Sequence, residues 1–290
     1  MLNRVFLLIS GFAFGWTAVK CLTVPEDKLR SQWAGLALSL AVGALVIVAL
    51  GVTSPAAGGA ALGAFLVSAL VAYAGNARQI DKLAAPPPER RKLERPVAKD
   101  TRRAVLLVCE GQPREYGGPA AWASLLRRME AEGRPTPHWF VRPWVYARIR
   151  AAYRAMGGRH PLHAAMDGLA QALQARLGAD YACQAAYLSA EPRLLDALAR
   201  LAEQGLGAMV LVPVGFAEDP HPRLRAQIVQ SRILEIGVRV SYAPSFDVGW
   251  ENLDSRWLEH TLKGTASPPQ PLTSETVETL YQRVMAAANA

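Results

Sequence analysis

Polar side chains that could carry out acid–base or metal chemistry follow two short apolar runs of the sequence. Glu110 comes directly after the first run, and Glu218, Asp219 and His221 follow the second. Carboxylates and a neutral imidazole can take up protons and can hold a divalent metal. A carboxylate at the end of a buried strand needs a partner or a raised pKa, which marks a candidate site. We therefore expect Glu110 to belong to a site.

The histidines also admit a plainer interpretation. His221 lies between Pro220 and Pro222, a setting typical of solvent-exposed turns. His160 and His163 are three residues apart at the start of a predicted helix, so one helix face presents both. A metal-binding pair needs this spacing, and surface residues of a first helical turn have it too. The sequence leaves both interpretations open.

The elements that must position these residues alternate between strand and helix after residue 103. Short apolar runs predict strands at 104–109, 181–188, 209–214 and 237–242. Helical spacing predicts helices near 119–132, 143–156, 161–177, 192–204, 222–235, 251–263 and 273–288. This alternation is typical of an open parallel α/β sheet, in which ligands bind at the carboxyl ends of the strands. The segments of interest are therefore 109–113, 187–191 and 215–221.

The N-terminal third has the composition of a membrane anchor. From Ser31 to Ala77 there is no charged residue and no histidine. Because a helix needs about 20 apolar residues to cross a bilayer, this stretch holds two spans, near 33–52 and 57–75. A further apolar run at 5–22 predicts a third span, although a cleaved signal peptide is the alternative. We expect two to three transmembrane helices.

The net charge of +8 first suggests nucleic-acid binding, but its position argues against this. Segment 76–103 carries nine basic and four acidic side chains, whereas 104–290 is nearly neutral. Basic segments beside membrane spans set topology. They predict a multi-pass protein of the inner (cytoplasmic) membrane with its C-terminal domain in the cytoplasm. The predicted organisation is an anchor at 1–76, a Pro-rich basic linker at 77–103, an α/β half-domain at 104–264, and a Pro-rich break with a last helix at 265–290.

Four motifs of the C-terminal part resemble ferrochelatases. The segment 153–162, Y-R-A-M-G-G-R-H-P-L, resembles the ferrochelatase pattern Y-x-x-I-G-G-x-S-P-L. Segments 105–113, 184–205 and 211–216 look like the opening strand with its G-T-P turn, the second strand with its helix, and the third strand. The resemblance covers about 104–262 and implies the chelatase fold. That fold is a flavodoxin-like open parallel sheet with helices on both faces, and its ligand is a tetrapyrrole of haem or porphyrin biosynthesis.

The short class II chelatases, which are single half-domains that work as homodimers, supply a second resemblance. They carry a metal-site histidine a few residues past the third strand, and segment 212–221 places His221 at a matching distance. The resemblance implies catalytic roles for Glu110 and His221 and metal contacts from His221, Glu218 and Asp219. Tyr116, Tyr153, Tyr187 and Trp144 are the implied substrate-binding residues. A divalent metal, Fe²⁺ or a similar ion, would be a substrate, and no prosthetic group is implied.

Two functions of different classes follow from the sequence. The first is a membrane-tethered, lyase-type metal chelatase that inserts a divalent metal into a tetrapyrrole, with a homodimer mate completing the site. The second is a catalytically degenerate half-chelatase that binds a tetrapyrrole or serves as an assembly subunit of a membrane complex. The S-x-H-S segment of ferrochelatases does not occur in this sequence, which favours the second. Neither function involves nucleic acid.

Overall fold

The chain forms two compact units. The computed structural model describes residues 2–24, 28–84, 100–216, 219–248 and 273–289. The first unit comprises Met1–Pro87 and Tyr116–Ala151, and the second comprises Pro88–Glu115 and Ala152–Ala290. Four features predicted from the sequence lie outside the described residues: most of the linker with its prolines at 86–88, Glu218, the helix at 251–263 and the Pro-rich break at 268–271.

The first unit begins with three long apolar helices, α1 (Leu2–Thr23), α2 (Leu29–Thr53) and α3 (Pro55–Lys82). Each is long and apolar enough to cross a membrane, so the prediction of a membrane anchor with three spans agrees with the structure. Ser54 caps α3, because its side chain accepts a hydrogen bond from the Ala57 amide and a proline follows at the first helical position. With 28 residues, α3 is about 42 Å long, which exceeds the hydrocarbon core of about 30 Å.

Small residues let α1 and α3 approach closely. A Cβ atom at Gly15 would overlap the backbone of Ala69, and one at Gly11 would overlap α3 in the same way. Asn76 Nδ2 also donates a 3.0 Å hydrogen bond to the Trp16 carbonyl across this contact. Close packing and interhelical hydrogen bonds hold membrane helices together where the hydrophobic effect does not. The α1–α3 contact is therefore set by glycine positions.

Replacing Gly15 by valine is expected to separate α1 from α3. Overpacking of this kind costs about 1–3 kcal/mol, so the variant should show a lower thermal unfolding midpoint in detergent. Gly63→Val on α3 is the matched control, because a Cβ at Gly63 meets no atom within 4 Å. Equal midpoints for the two variants would contradict this account of the packing.

An arginine joins further helices to this unit. The unit also contains α4 (Gly118–Ala131), and α5 (Arg142–Ala155) begins in it. The Arg142 side chain is 3% exposed, and its guanidinium contacts the carboxylates of Asp81 and Glu130. Its Nε also donates to the Pro137 carbonyl at 3.0 Å. Because a buried guanidinium needs such partners, Arg142 holds the end of α3 against α4 and the start of α5.

The second unit contains a four-stranded, all-parallel sheet in the order β2-β1-β3-β4. Its described elements are β1 (Arg103–Cys109), α6 (Pro161–Leu177), β2 (Tyr181–Tyr187), α7 (Leu194–Glu203), β3 (Ala208–Pro213), α8 (His221–Ser231), β4 (Arg239–Tyr242) and α9 (Ser274–Asn289). The prediction of an open parallel α/β sheet is confirmed. The helix predicted at 222–235 ends four residues early, at Ser231, where Arg232 adopts a left-handed conformation and a short 3₁₀ helix follows.

The sheet is buried by helices around it. Alternate residues of β1, including Leu106 and Val108, pack against Leu198 of α7 and Leu224 of α8 in one apolar core. Helices α6 and α9 pack on each other and contact the remaining strands. Because both faces of β1 are buried, its sequence is a continuous apolar run instead of an alternation of apolar and polar residues.

The strand order places the expected ligand site. From β1 the chain first moves to β2 on one side and then returns to β3 on the other. In open parallel sheets ligands bind outside the carboxyl ends of the strands, at this change of direction. The strand order therefore directs attention to the residues that follow Cys109 of β1 and Pro213 of β3.

Candidate functional site

A buried carboxylate lies at the end of β1. Glu110 is 2% exposed, and Arg223 of α8 donates to it from Nη1 to Oε2 at 2.6 Å and from Nη2 to Oε1 at 3.2 Å. Ser189, which follows β2, donates its hydroxyl to Oε1 at 2.8 Å. A two-pronged guanidinium contact stabilises the ionised carboxylate and fixes its geometry. Glu110 is thus part of an internal ion pair at the strand ends.

The backbone holds this ion pair in place. The Ser189 amide donates to the Glu110 carbonyl at 2.8 Å, and the Leu188 amide donates to the Cys109 carbonyl at 3.0 Å, so β1 and β2 stay joined beyond their last strand residues. Gly111 then turns with φ 77°, and a Cβ there would lie 2.5 Å from a side-chain atom of the β2 terminus. Only glycine fits this position without strain.

Removing the cation should destabilise the second unit strongly. Arg223→Gln removes the guanidinium that contacts the buried Glu110 carboxylate at two points, which costs about 3 kcal/mol in the free energy of unfolding. The double variant Glu110→Gln/Arg223→Gln should recover part of this loss, because the buried charge is gone. The measurement is denaturant unfolding of the full chain in detergent.

The control for this ion pair is Arg159→Gln. The Arg159–Glu115 pair has side chains 71% and 63% exposed, so its loss should cost less than about 1 kcal/mol. An Arg223→Gln variant no less stable than this control would show that the buried pair is not holding the strand ends.

A histidine and a carboxylate form a second pair beside the first. His221 is the first residue of α8, and its Nδ1 lies 2.6 Å from Asp219 Oδ1, which also accepts the His221 amide at 3.1 Å. Both hydrogen bonds lower the pKa of the Asp219 carboxyl, and the bond from the His221 ring has the larger effect. A carboxylate on Nδ1 fixes the tautomer that carries its proton there, which leaves the Nε2 lone pair as base or metal ligand.

The two pairs meet at the same edge of the sheet. Arg223, which binds Glu110, lies two residues after His221 in the first turn of α8. The His221 side chain is 28% exposed and its ring lies 6.0 Å from the ring of Tyr242, at the end of β4. His221 is therefore accessible, whereas Glu110 is not.

The described residues hold no preformed metal cluster. Across the described ranges, no group of three or more His, Cys, Asp or Glu side chains is placed to hold a metal ion. Asp219 and His221 are adjacent, and Glu218, the other implied ligand, lies outside the described residues. A metal contact by Asp219, His221 or Glu218 stays a prediction.

His160 and His163 are interior residues, so their interpretation as surface residues of a first helical turn is wrong. His160 caps α6, because its Nδ1 accepts the Leu162 amide at 3.3 Å, and it is 2% exposed. His163 is 5% exposed, and its Nε2 lies 2.7 Å from the Gln112 carbonyl. Burial, and then the neighbouring His163, lower the pKa of His160 to about 3, and burial lowers the pKa of His163 as well.

Because His160 is buried and its pKa is lowered, we expect the folded protein to lose stability in acid. Its pKa is about 3 when folded and about 6.5 when unfolded, so the unfolded chain takes up the proton first. The contribution to stability is complete above about pH 6.5 and falls by up to about 1.4 kcal/mol per pH unit toward pH 3. His160→Asn keeps a capping acceptor and should flatten this dependence between pH 6.5 and 4. Denaturant unfolding of the two proteins from pH 4 to 7 measures the dependence, and equal slopes would contradict this role of His160.

The predicted substrate-binding aromatics fall in both units. Tyr153 and Tyr187 belong to the second, are each 1% exposed, and pack against His160 at 5.9 Å and His163 at 4.5 Å between ring centroids. The Tyr153 hydroxyl donates to the Pro113 carbonyl.

Tyr116 and Trp144 belong to the first unit. Tyr116 is partly buried, and burial raises its pKa to about 12, whereas Trp144 is 47% exposed with Arg148 over its ring at 5.2 Å. A tetrapyrrole contact by any of these four aromatics stays a prediction.

Arg223 and Ser189 are site residues that the sequence alone did not single out. Each had a usable signal, because Ser189 lies within a strand-end segment and Arg223 opens the helix after β3. Adjacent parallel strands end at the same edge, so a buried carboxylate after β1 should find its partners after β2 or β3. Applying that rule to Glu110 leads to both residues.

Comparison with known proteins assigns the chain to no family. No family model matches the sequence. No curated protein matches it either.

Proposed function

We propose that this protein is a membrane-tethered, chelatase-like protein that passes a divalent metal to a tetrapyrrole. The observation that carries the proposal is the Asp219–His221 pair, which follows β3 and lies beside Tyr242 at the end of β4. It presents an oriented, partly exposed imidazole where open parallel sheets bind ligands. An accessible neutral imidazole can serve as a proton acceptor and as a metal ligand.

Metal insertion needs a proton acceptor and a weak metal ligand, and an imidazole can serve as either. Insertion binds one divalent metal to the ring nitrogens and releases two pyrrole protons, with no change in oxidation state. In the proposal, His221 Nε2 either takes one pyrrole proton while solvent water takes the other, or holds the entering metal while water takes both protons. Asp219 keeps the imidazole ring oriented. Glu110 acts through Arg223 as a positioning residue for the first turn of α8, because its carboxylate is buried in the ion pair.

The fold is compatible with the resemblance to chelatases. The strand order β2-β1-β3-β4 is the order that the first four strands have in the flavodoxin-like fold. The four resembling motifs lie on β1 and its turn, on the α5–α6 connection, on β2 with α7, and on β3. We propose the flavodoxin-like chelatase half-domain on this basis, with a second copy of the chain as the mate that completes the site.

We further propose that the α/β unit faces the cytoplasm. Three spans place the segments with Lys20, Lys28 and Arg30 and with residues 76–103 on one side of the membrane. Basic segments stay on the cytoplasmic side. Tethering to an inner membrane suits an apolar macrocycle, which partitions into or against lipid.

A specific observation also favours the second candidate function. Glu110, the other implied catalytic residue, is held by Arg223 and Ser189 and is 2% exposed. With that carboxylate engaged, His221 is the one accessible imidazole among the described residues at this edge of the sheet. A chain of this kind could bind a tetrapyrrole for a membrane complex without inserting a metal.

Titration of the detergent-purified full chain with protoporphyrin, with and without Zn²⁺ or Fe²⁺, tests the proposal. Wild-type protein should bind the porphyrin and convert it to the metal complex, as followed by absorbance and fluorescence. His221→Ala should slow insertion by at least about 10²-fold, because a proton acceptor is removed, and should change porphyrin binding little. His138→Ala, an exposed histidine of the first unit, is the matched control.

The outcomes separate the candidates. Binding without insertion by the wild type supports the tetrapyrrole-binding function and overturns the chelatase proposal. Insertion that His221→Ala leaves unchanged removes His221 from the mechanism. Failure to bind any porphyrin contradicts both functions.

A further inference from the structure

The first unit contains a cavity that combines apolar walls with one arginine. The cavity is about 300 Å³ in volume. Ala18 and Leu22 of α1 line it from one side, and Leu29 and Trp33 of α2 line it from the other. Arg150 of α5 adds the only cation among its lining residues. An apolar crevice with a single cationic group matches a ligand with an apolar chain and an anionic head.

The cavity lies at one end of the α1–α2 hairpin. Its α1 residues occupy the last two turns before Thr23, and its α2 residues occupy the first two turns after Leu29. Trp33, 56% exposed, sits where interfacial tryptophans anchor helices at the membrane–water boundary. The position corresponds to the headgroup level of one leaflet.

Arg150 is oriented by the end of α1. Its Nη2 donates to the Cys21 carbonyl at 3.3 Å, and its Nη1 donates to the Val24 carbonyl. A guanidinium has five N–H groups, and these two contacts to described residues leave others for a ligand. Arg150 therefore supplies an oriented, planar guanidinium, a group that can donate two parallel hydrogen bonds to one phosphate.

The surrounding charge favours an anion. Lys20, Lys28 and Arg30 lie at this end of the hairpin, and Lys20 Nζ rests 5.7 Å from the Trp16 ring centroid. The connecting loop also contains Glu26 and Asp27, which lie outside the described residues, so the sequence carries an excess of two positive charges here with Arg150 included. Basic pockets between membrane helices bind anionic lipid headgroups.

We propose that this cavity is a binding site for one anionic phospholipid of the surrounding bilayer. The phosphate binds Arg150, and one acyl chain lies between α1 and α2 against Leu22 and Leu36. The site belongs wholly to the first unit and does not depend on the function proposed for the second. A bound lipid would hold the α1–α2 hairpin against α5.

The experiment measures lipid retention by the full chain. Protein reconstituted into nanodiscs of equimolar phosphatidylglycerol and phosphatidylcholine is extracted in detergent, and co-purifying lipid is quantified by native mass spectrometry. Wild-type protein should retain phosphatidylglycerol about fivefold over phosphatidylcholine, the preference expected from one favourable cation near the membrane surface. Arg150→Gln should abolish the preference, and Arg154→Gln, one turn further along α5, should keep it.

A second variant guards against misfolding, since Arg150 also binds the end of α1. Ala18→Phe fills the apolar part of the cavity and leaves Arg150 in place, so it should lower retention of phosphatidylglycerol at an unchanged helix content. Equal retention of the two lipids by wild-type protein overturns the proposal. Displacement of the lipid by millimolar inorganic phosphate overturns it too, because the site would then bind the free anion.

Discussion

The ion pair between Glu110 and Arg223 governs the arrangement at the carboxyl-terminal edge of the sheet. Glu110 continues an otherwise apolar strand, so its carboxylate is buried by the same packing that forms the core. A buried carboxylate without partners is costly, and the chain meets this constraint with a guanidinium from α8 and a hydroxyl after β2. Three elements are thereby joined at one point, and the first turn of α8 is placed beside the end of β1.

That placement makes His221 a candidate residue of the functional site. His221 and Arg223 share one helical turn, so fixing Arg223 on Glu110 also fixes the backbone from which His221 projects. Asp219 then fixes the ring through Nδ1. The site thus has two layers. The buried ion pair fixes the position of the α8 backbone, and the exposed Asp219 carboxylate fixes the orientation of the His221 imidazole. Such layering holds a reactive group better than either contact alone, because the backbone and the rotamer are restrained separately.

Much of the fold follows from the sequence, whereas the partners in the site do not. Continuous apolar runs such as 104–109, with Gly111 after it, predict a buried strand because few other structures tolerate that pattern. The uncharged stretch from Ser31 to Ala77 predicts membrane spans for an equally simple reason. The break at Arg232, where the backbone is left-handed, carries no local signal, since arginine is a good helix former.

The histidines show why side-chain roles are harder to predict than elements. A spacing of three on a helix brings two side chains to one face, yet it does not say which face is buried. At His160 and His163 that face is turned inward, and both imidazoles lose their affinity for protons as a result. At His221 the neighbouring prolines suggest an exposed turn, and the side chain is indeed partly exposed, but Asp219 gives it an orientation that turn residues rarely have. Of His160, His163 and His221, it is His221 that combines accessibility with a carboxylate on its ring, and the proposed function rests on this difference.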